Sequence, residues 1–313
     1  MAKRKSKKKA VKNLIYIVLL LIIAAGTYFG IFDDPFGVAK PGKTGVVTEI
    51  KEGDLQVHMI DVGQADSFLV RIPDGKAVKN ILIDAGCPNQ TKSDAITDYL
   101  SACGIKELDL LILTHPHYDH IGSAKKVLES VTVRSVMIPD CDYSSATWTN
   151  VLETIEKKNI NVIFSDAGKT LDIGEAKLKI LAPSDKMLSG KEANDYSIVT
   201  KLTYGDTSFM FTGDAESDSE AEILGAFSKS ELKCNVLKVG HHGSRTSSSQ
   251  EFLDAVNPDI ALISCGKNND YGHPHDETMK KLNAMGINIF RTDEMGSVVI
   301  VSDGKTVSRL ESK

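Results

Sequence analysis

The run Thr114-His115-Pro116-His117-Tyr118-Asp119-His120 constrains this chain more than any other stretch. It follows the apolar segment Leu110-Leu111-Ile112-Leu113, which reads as a buried parallel strand, and Gly122 reads as the opening of a helix. Four potential metal ligands therefore fall within six residues at a strand-to-helix turn, the place where open α/β sheets put their chemistry. A tight turn can aim successive imidazoles and a carboxylate at one or two points in space. Such donors suit Zn²⁺ and, with more oxygen ligands, Mn²⁺. The competing possibility is a polar turn facing solvent, but three of the chain's 8 histidines share this hexapeptide.

The 313 residues, 42% of them hydrophobic, can bury a large core and allow one or two domains. The N-terminal end stands apart. Residues 1–12 hold Lys3, Arg4, Lys5, Lys7, Lys8, Lys9 and Lys12 with no acidic residue, and an apolar run follows from Leu14 to Phe32. Roughly 19 uncharged residues are enough for a helix to cross a hydrocarbon core of about 30 Å. The sequence thus predicts a basic cytoplasmic tail over 1–12, a transmembrane signal anchor over 13–32, a linker over 33–54 and a domain over 55–313 outside the cell. A cleaved signal peptide is the alternative, with Ala24-Ala25-Gly26 as its site, although the apolar run continues past it. The linker assignment rests on Asp33-Asp34-Pro35 and Lys40-Pro41-Gly42.

The formal net charge of −5 hides this asymmetry, because removing the seven tail cations leaves 30 basic against 42 acidic residues, near −12. So acidic a domain is not built to wrap duplex nucleic acid through many phosphate contacts. The tail reads as an orientation signal touching anionic lipid. The 5 cysteines form no C-x-x-C pair, so neither a zinc ribbon nor a thioredoxin-like centre is indicated.

From Leu55 the pattern is of hairpin strands (55–62, 67–72, 78–83), then alternating helices and strands to residue 158, with helices expected over 93–102, 123–129 and 147–158. A second set begins near Leu171, with strands over 176–181, 197–204, 208–212, 235–239 and 260–264, helices over 215–227, 250–256 and 276–284, and short strands near Ile287 and Val298. Two sheet-rich halves with interspersed helices point to an α/β sandwich of two sheets covered by helices on both outer faces.

The remaining chemical stretches sit at strand ends. Asp84-Ala85-Gly86 reads as ordinary turn chemistry. The loop Asp61-Val62-Gly63-Gln64-Ala65-Asp66 fits either a hairpin or a support for the site. Phe209-Met210-Phe211-Thr212-Gly213-Asp214 delivers a carboxylate that can bridge two cations. Val236 to Gly240 leads to His241, His242 and a polar turn with Ser244 and Arg245 suited to an anion. The stretch from Gly266 to His275, with Lys267 and His273, looks like a substrate rim, while His58 inside a strand reads as structural.

In order and spacing, His115-x-His117-x-Asp119-His120, Thr212-Gly213-Asp214 and Gly240-His241-His242-Gly243-Ser244 resemble the metallo-β-lactamase-fold hydrolases. Asp61 to Asp66, Asn194-Asp195-Tyr196-Ser197, Lys238 to Ser249 and Tyr271-Gly272-His273-Pro274 narrow the resemblance to the hydrolase domain of ComEC-like competence proteins, over roughly residues 55–305. The resemblance implies an αββα four-layer sandwich. There are departures. Ala65 replaces a usual second glycine, and no His lies between 121 and 240, where the broad family has a metal ligand. Asn194 is the candidate in its place, with Asp195 the alternative; a neutral amide oxygen shifts preference from Zn²⁺ toward Mn²⁺. Only one apolar span is present, so the transport function of the competence proteins is not carried over.

The resemblance further implies two divalent ions, Zn²⁺ or Mn²⁺. One would be held by His115, His117, Asp214 and Asn194, the other by Asp119, His120, Asp214 and His241, with a hydroxide between them as nucleophile. Asp119 and His242 would serve catalysis, and Ser244, Arg245, Lys267 and His273 would orient an anionic substrate, with short or single-stranded nucleic acid among the candidates. The expected activity is that of a membrane-anchored phosphodiesterase or nuclease. The alternatives are a lactonase or β-lactamase, or a binding module whose metal site has decayed.

Overall fold

The structure, a computed structural model, describes residues 50–86, 94–185, 188 and 192–310. The expected tail and anchor, and most of the linker, lie outside these residues; among the described residues no helix is long and apolar enough to cross a membrane.

The first half of the domain supplies β1 (Leu55–Met59), β2 (Phe68–Asp74), β3 (Ala77–Ile83), β4 (Glu107–Leu108), β5 (Leu110–Ile112), β6 (Thr132–Val133), β7 (Ser135–Ile138) and β8 (Asn161–Phe164). The second half supplies β9 (Thr170–Ile173), β10 (Ala176–Ala182), β11 (Val199–Tyr204), β12 (Thr207–Phe211), β13 (Val236–Lys238), β14 (Ile260–Ile263), β15 (Asn288–Arg291), β16 (Val298–Ser302) and β17 (Val307–Arg309). They form an eight-stranded sheet in the order β17-β16-β1-β2-β3-β5-β7-β8 and a seven-stranded sheet in the order β15-β14-β13-β12-β11-β10-β9. β4 and β6 pair separately.

Each large sheet joins an antiparallel meander to a parallel set. In the first, β1, β2 and β3 are antiparallel and β3, β5, β7 and β8 run parallel. In the second, β9 to β12 are antiparallel and β12 to β15 parallel. The parallel pairs align the ends of β3 with β5 and of β12 with β13, which gathers the loops after them.

The two-residue period of the strands builds the layers. In β2, Phe68, Val70 and Ile72 join the core between the sheets with Leu202, Phe209 and Val236, while Leu69 faces the other way, into a cluster with Ile96, Leu100 and Val127 of the outer helices. In the second sheet Met210 and Leu237 turn outward to Ile223, Phe252 and Leu253. Helix, sheet, sheet and helix stack in that order, as the sequence implies. Each fully buried aliphatic side chain contributes about 1.5–3 kcal/mol.

Local differences from expectation have physical causes. A helical turn, Tyr118–Ile121, begins inside the His/Asp run, with Asp119 in its first turn where a carboxylate complements the helix N-terminus; Gly122 caps its end and does not open it. The next helix is Ala124–Ser130. The strands β8 and β17 were not expected, because they lie at sheet edges with partly exposed residues and little alternation.

Candidate metal centre

The centre is built where parallel strands end. β3 and β5 pair with Ile83 opposite Ile112, which carries Asp84 beside Thr114. Asp84 Oδ1 accepts from the Thr114 amide at 2.8 Å, and Oδ2 accepts from Thr114 Oγ1 at 2.7 Å and from His120 Nδ1 at 2.7 Å. His120 is thereby fixed with Nδ1–H toward Asp84 and Nε2 toward the centre, the role an outer carboxylate plays for a metal-binding imidazole. Asp84 is buried at φ +59°, so the ordinary-turn expectation is corrected: the carboxylate is an anchor for the His/Asp run. Burial pushes its pKa up, against the His120 imidazole.

The backbone is strapped in the same place. Ala85 N donates to His120 O at 2.8 Å, Asp66 N to Asp119 O at 3.0 Å and Gly86 N to Asp66 O at 2.9 Å. A Cβ on Gly86 would fall 1.6 Å from Asp119 O, so glycine is required for this close approach.

From the second sheet, β13 leads into the tight turn Gly240–Gly243, in which His241 and His242 both hold left-handed backbone angles, φ +49° and +54°. Two such non-glycine residues in succession cost on the order of 1–3 kcal/mol each and mark a site held in shape by its surroundings. His242 Nδ1 donates to the Ser264 carbonyl at 2.8 Å, leaving Nε2 for Asp119 Oδ2 at 3.2 Å and Asp214 Oδ2 at 3.6 Å. Asp214 follows β12 through Gly213, and its amide donates to Ser197 Oγ at 3.1 Å.

One ligand atom each from Asp119, His120, Asp214 and His242 lies within 4.8 Å of the others. Beside them His115 Nε2 and His117 Nδ1 face each other at 3.1 Å. The Thr114 hydroxyl proton is committed to Asp84, so its oxygen can accept from His115 Nδ1–H at 3.2 Å, which frees the Nε2 lone pair. Beneath the centre Lys238, only 2% exposed, places Nζ 2.5 Å from Asp66 Oδ2, 2.6 Å from the Gly213 carbonyl and 3.6 Å from Asp214 Oδ1.

The electrostatics favour positive charge. Although burial opposes it, the Asp214 and Asp66 carboxylates raise the His242 imidazole to about 10. Against the same burial penalty Asp214, Asp84 and Asp119 push His120 well above its ordinary value, and Asp66 and Asp214 push Lys238 up. Burial would raise the Asp214 carboxyl, but His120, His242 and Lys238 hold it well below the usual range. His115 goes the other way: burial and the neighbouring His120 keep it neutral, as a ligand must be.

A divalent cation fits these residues. His120 Nε2 and Asp214 Oδ1 are both buried and 3.2 Å apart, with no other polar partner in hydrogen-bond reach. Buried polar atoms need full partners, and an ion between a ring nitrogen and a carboxylate oxygen satisfies both. The donor set of imidazole and carboxylate suits Zn²⁺ or Mn²⁺.

The other residues named from sequence are placed as follows. His241 lies at the mouth, with Nδ1 3.0 Å from Glu216 Oε1 and Nε2 3.6 Å from Asp214 Oδ2; the four-residue group takes its last imidazole from His242 instead. Asn194, in the 3-10 turn Ala193–Tyr196, donates Nδ2 to Glu216 Oε1 at 3.1 Å, and its buried Oδ1 makes no hydrogen bond. Ser244 is buried with Oγ 3.0 Å from Thr246 Oγ1. Arg245 and Lys267 are exposed, Arg245 lying 3.4 Å from Glu277. His273 packs on His241 and His242 and meets Gln64 Nε2 at 3.3 Å.

Four contributors escaped the sequence-based assignment of roles: Asp66, Asp84, Lys238 and Glu216, which collects Asn194, His241 and Thr246 on one oxygen. The Asp66 loop carried a signal, a carboxylate in a Gly-containing turn. Glu216 carried none.

A family profile described as the Metallo-beta-lactamase superfamily matches residues 60–267. ComE operon protein 3 of Bacillus subtilis (strain 168) is 34% identical over 257 residues, covering 78% of this chain and 32% of that protein. Recombination protein 2 of Haemophilus influenzae is 32% identical over 246 residues, covering 78% of this chain and 28% of that protein. The chain thus spans about a third of the length of these relatives. Among solved structures, the metallo-beta-lactamase fold protein YhfI from Bacillus subtilis superposes with a TM-score of 0.51 at 15% identity, covering 80% of this chain and all of YhfI, a likeness of fold.

Proposed function

The chain belongs to the metallo-beta-lactamase superfamily, with ComEC-like competence proteins among its relatives, and on that premise we propose that it is a metal-dependent phosphodiesterase or nuclease. The observation that carries the hydrolytic part is the convergence of Asp119, His120, Asp214 and His242, in which the buried His120 Nε2 and Asp214 Oδ1 have only each other in reach. Support for a phosphodiester comes from the exposed cations Arg245 and Lys267 in the loops that follow β13 and β14 and from a relative named Recombination protein 2.

In this proposal His115 and His117 would hold one ion and Asp119, His120 and His242 the other, with Asp214 reaching both. Asn194, whose buried Oδ1 makes no hydrogen bond, and His241, 3.6 Å from Asp214 Oδ2, are held together by Glu216. Ions bound there supply Lewis acidity toward a phosphoryl oxygen and lower the pKa of water. The chain's own residues do the rest. Asp84 and the Ser264 carbonyl hold His120 and His242 in the tautomers that present Nε2. Lys238 keeps Asp66 and Asp214 ionised and in place. Asp119, with its side chain 33% exposed where its neighbours are closed off, is the carboxylate of the group able to meet water.

The test is a panel of single-stranded DNA, a small phosphodiester, a lactone and a β-lactam offered to the protein with Mn²⁺ or Zn²⁺. Hydrolysis of the phosphodiesters is expected, with Asp119→Ala lowering the rate about 100-fold or more. Turnover confined to the lactone or β-lactam would replace the proposal with an acyl hydrolase.

A further inference from the structure

The rim of the centre carries an aromatic ring that the hydrolytic chemistry does not use. Tyr271 is 68% exposed, and its ring stacks on His273 at 5.6 Å and 22°. His273 in turn stacks on His242 at 6.1 Å and 27°. His273 therefore makes ring contact both with the candidate ligand His242 and with the exposed Tyr271.

The loop that holds the outermost ring is rigid by construction. Asn269 donates Nδ2 to the Gly266 and His273 carbonyls at 2.9 and 2.6 Å, and its Oδ1 accepts from the Tyr271 and His273 amides at 3.2 and 3.0 Å. Gln64, from the loop between β1 and β2, accepts from Gly266 N at 2.9 Å and meets His273 Nδ1 at 3.3 Å. A large aromatic displayed on a frame so fully hydrogen-bonded loses little freedom when something stacks on it. A neutral contact is useful here, since acidic residues outnumber basic ones, 42 to 37, and leave the chain net negative toward phosphates. Stacking accepts any base and needs no charge, but the base must be out of a duplex to offer its face.

We propose that Tyr271 is a stacking platform for a nucleobase of single-stranded nucleic acid whose phosphodiester lies at the metal centre. The assignment deepens the phosphodiesterase proposal and rests on it. It selects single strands over duplex, and the stacking part of the affinity changes little with salt.

The experiment compares binding of two fluorescent oligomers to the full chain by anisotropy in EDTA, so that no cleavage intervenes: oligodeoxythymidylate and a deoxyribose-phosphate oligomer of equal length without bases. Wild-type protein is expected to prefer the base-bearing strand. Tyr271→Ala should weaken that strand about 5- to 150-fold and leave the abasic one unchanged, which also shows the variant to be folded; Tyr271→Trp should retain the preference. Equal binding of the two oligomers by wild type, or an equal loss on both in Tyr271→Ala, overturns the platform. Hydrolysis with Mn²⁺ is scored separately: base-dependent binding without cleavage supports the platform and defeats the phosphodiesterase proposal, whereas cleavage without base dependence does the reverse.

Discussion

Asp84 sits outside the group of candidate ligands, yet it sets the orientation of one of them. Its carboxylate accepts from two groups of Thr114 and from His120 Nδ1, all within 2.8 Å. An amide in its place would turn a donor toward one of those donors. Asp84→Asn is therefore expected to lower metal affinity about 10- to 100-fold, read by competition with a chromogenic chelator; an unchanged affinity would make Asp84 a residue of the fold alone. The His/Asp run was legible in the sequence because its ligands are contiguous and close one strand. Asp84, Asp66 and Lys238 are separated by up to 172 positions and acquire meaning only when β3, β5, β12 and β13 align their ends. An aspartate before a glycine turn looks the same whether it caps a loop or anchors an imidazole. The pair His241-His242 was legible as a pair, but which ring points inward depends on two left-handed residues that spacing does not reveal.

At the scale of elements, β1 carries His58 into the packing between the first sheet and the helix Ala95–Ala102. Its Nδ1 lies 2.9 Å from Tyr99 Oη and its Nε2 3.1 Å from Gln56 Oε1, in keeping with the structural role read from its place in a strand. Burial, with the Arg71 charge, lowers its pKa to about 3. The folded protein then keeps His58 neutral while the unfolded chain protonates near 6.5. Between these values the unfolded state binds the extra proton, so stability present above pH 6.5 is lost as pH falls. Between pH 7.5 and 5 the wild type should lose about 2 kcal/mol more than His58→Gln, measured by urea unfolding at both pH values. Equal losses would show that folding leaves the proton affinity of His58 unchanged and would contradict this. The strands β2, with its apolar run, and β10, with its alternation, were expected within a residue or two, whereas β8 and β17 gain their order from a neighbour and not from their own pattern.

At the scale of the whole molecule, two sheets of similar design, each a meander continued by parallel strands, lay their loop clusters against one another. The run after β5 brings His115, His117, Asp119 and His120 from the first sheet; the loops after β12 and β13 bring Asp214 and His242 from the second. Neither sheet carries a complete set of ligands, so hydrolytic capacity and the folding of both halves are coupled. This explains why the layered architecture could be read from the alternation of patterns while the centre could be read only in part: a site shared between sheets is specified by packing across the core. We propose that the shared centre holds two divalent ions, and mass-spectrometric metal analysis of the protein after equilibration with Mn²⁺ or Zn²⁺ and removal of free ion measures them. The expected result is about two ions per chain, falling to about one in His115→Ala; near-zero occupancy in the wild-type protein would contradict it and point instead to a binding module whose metal site has decayed.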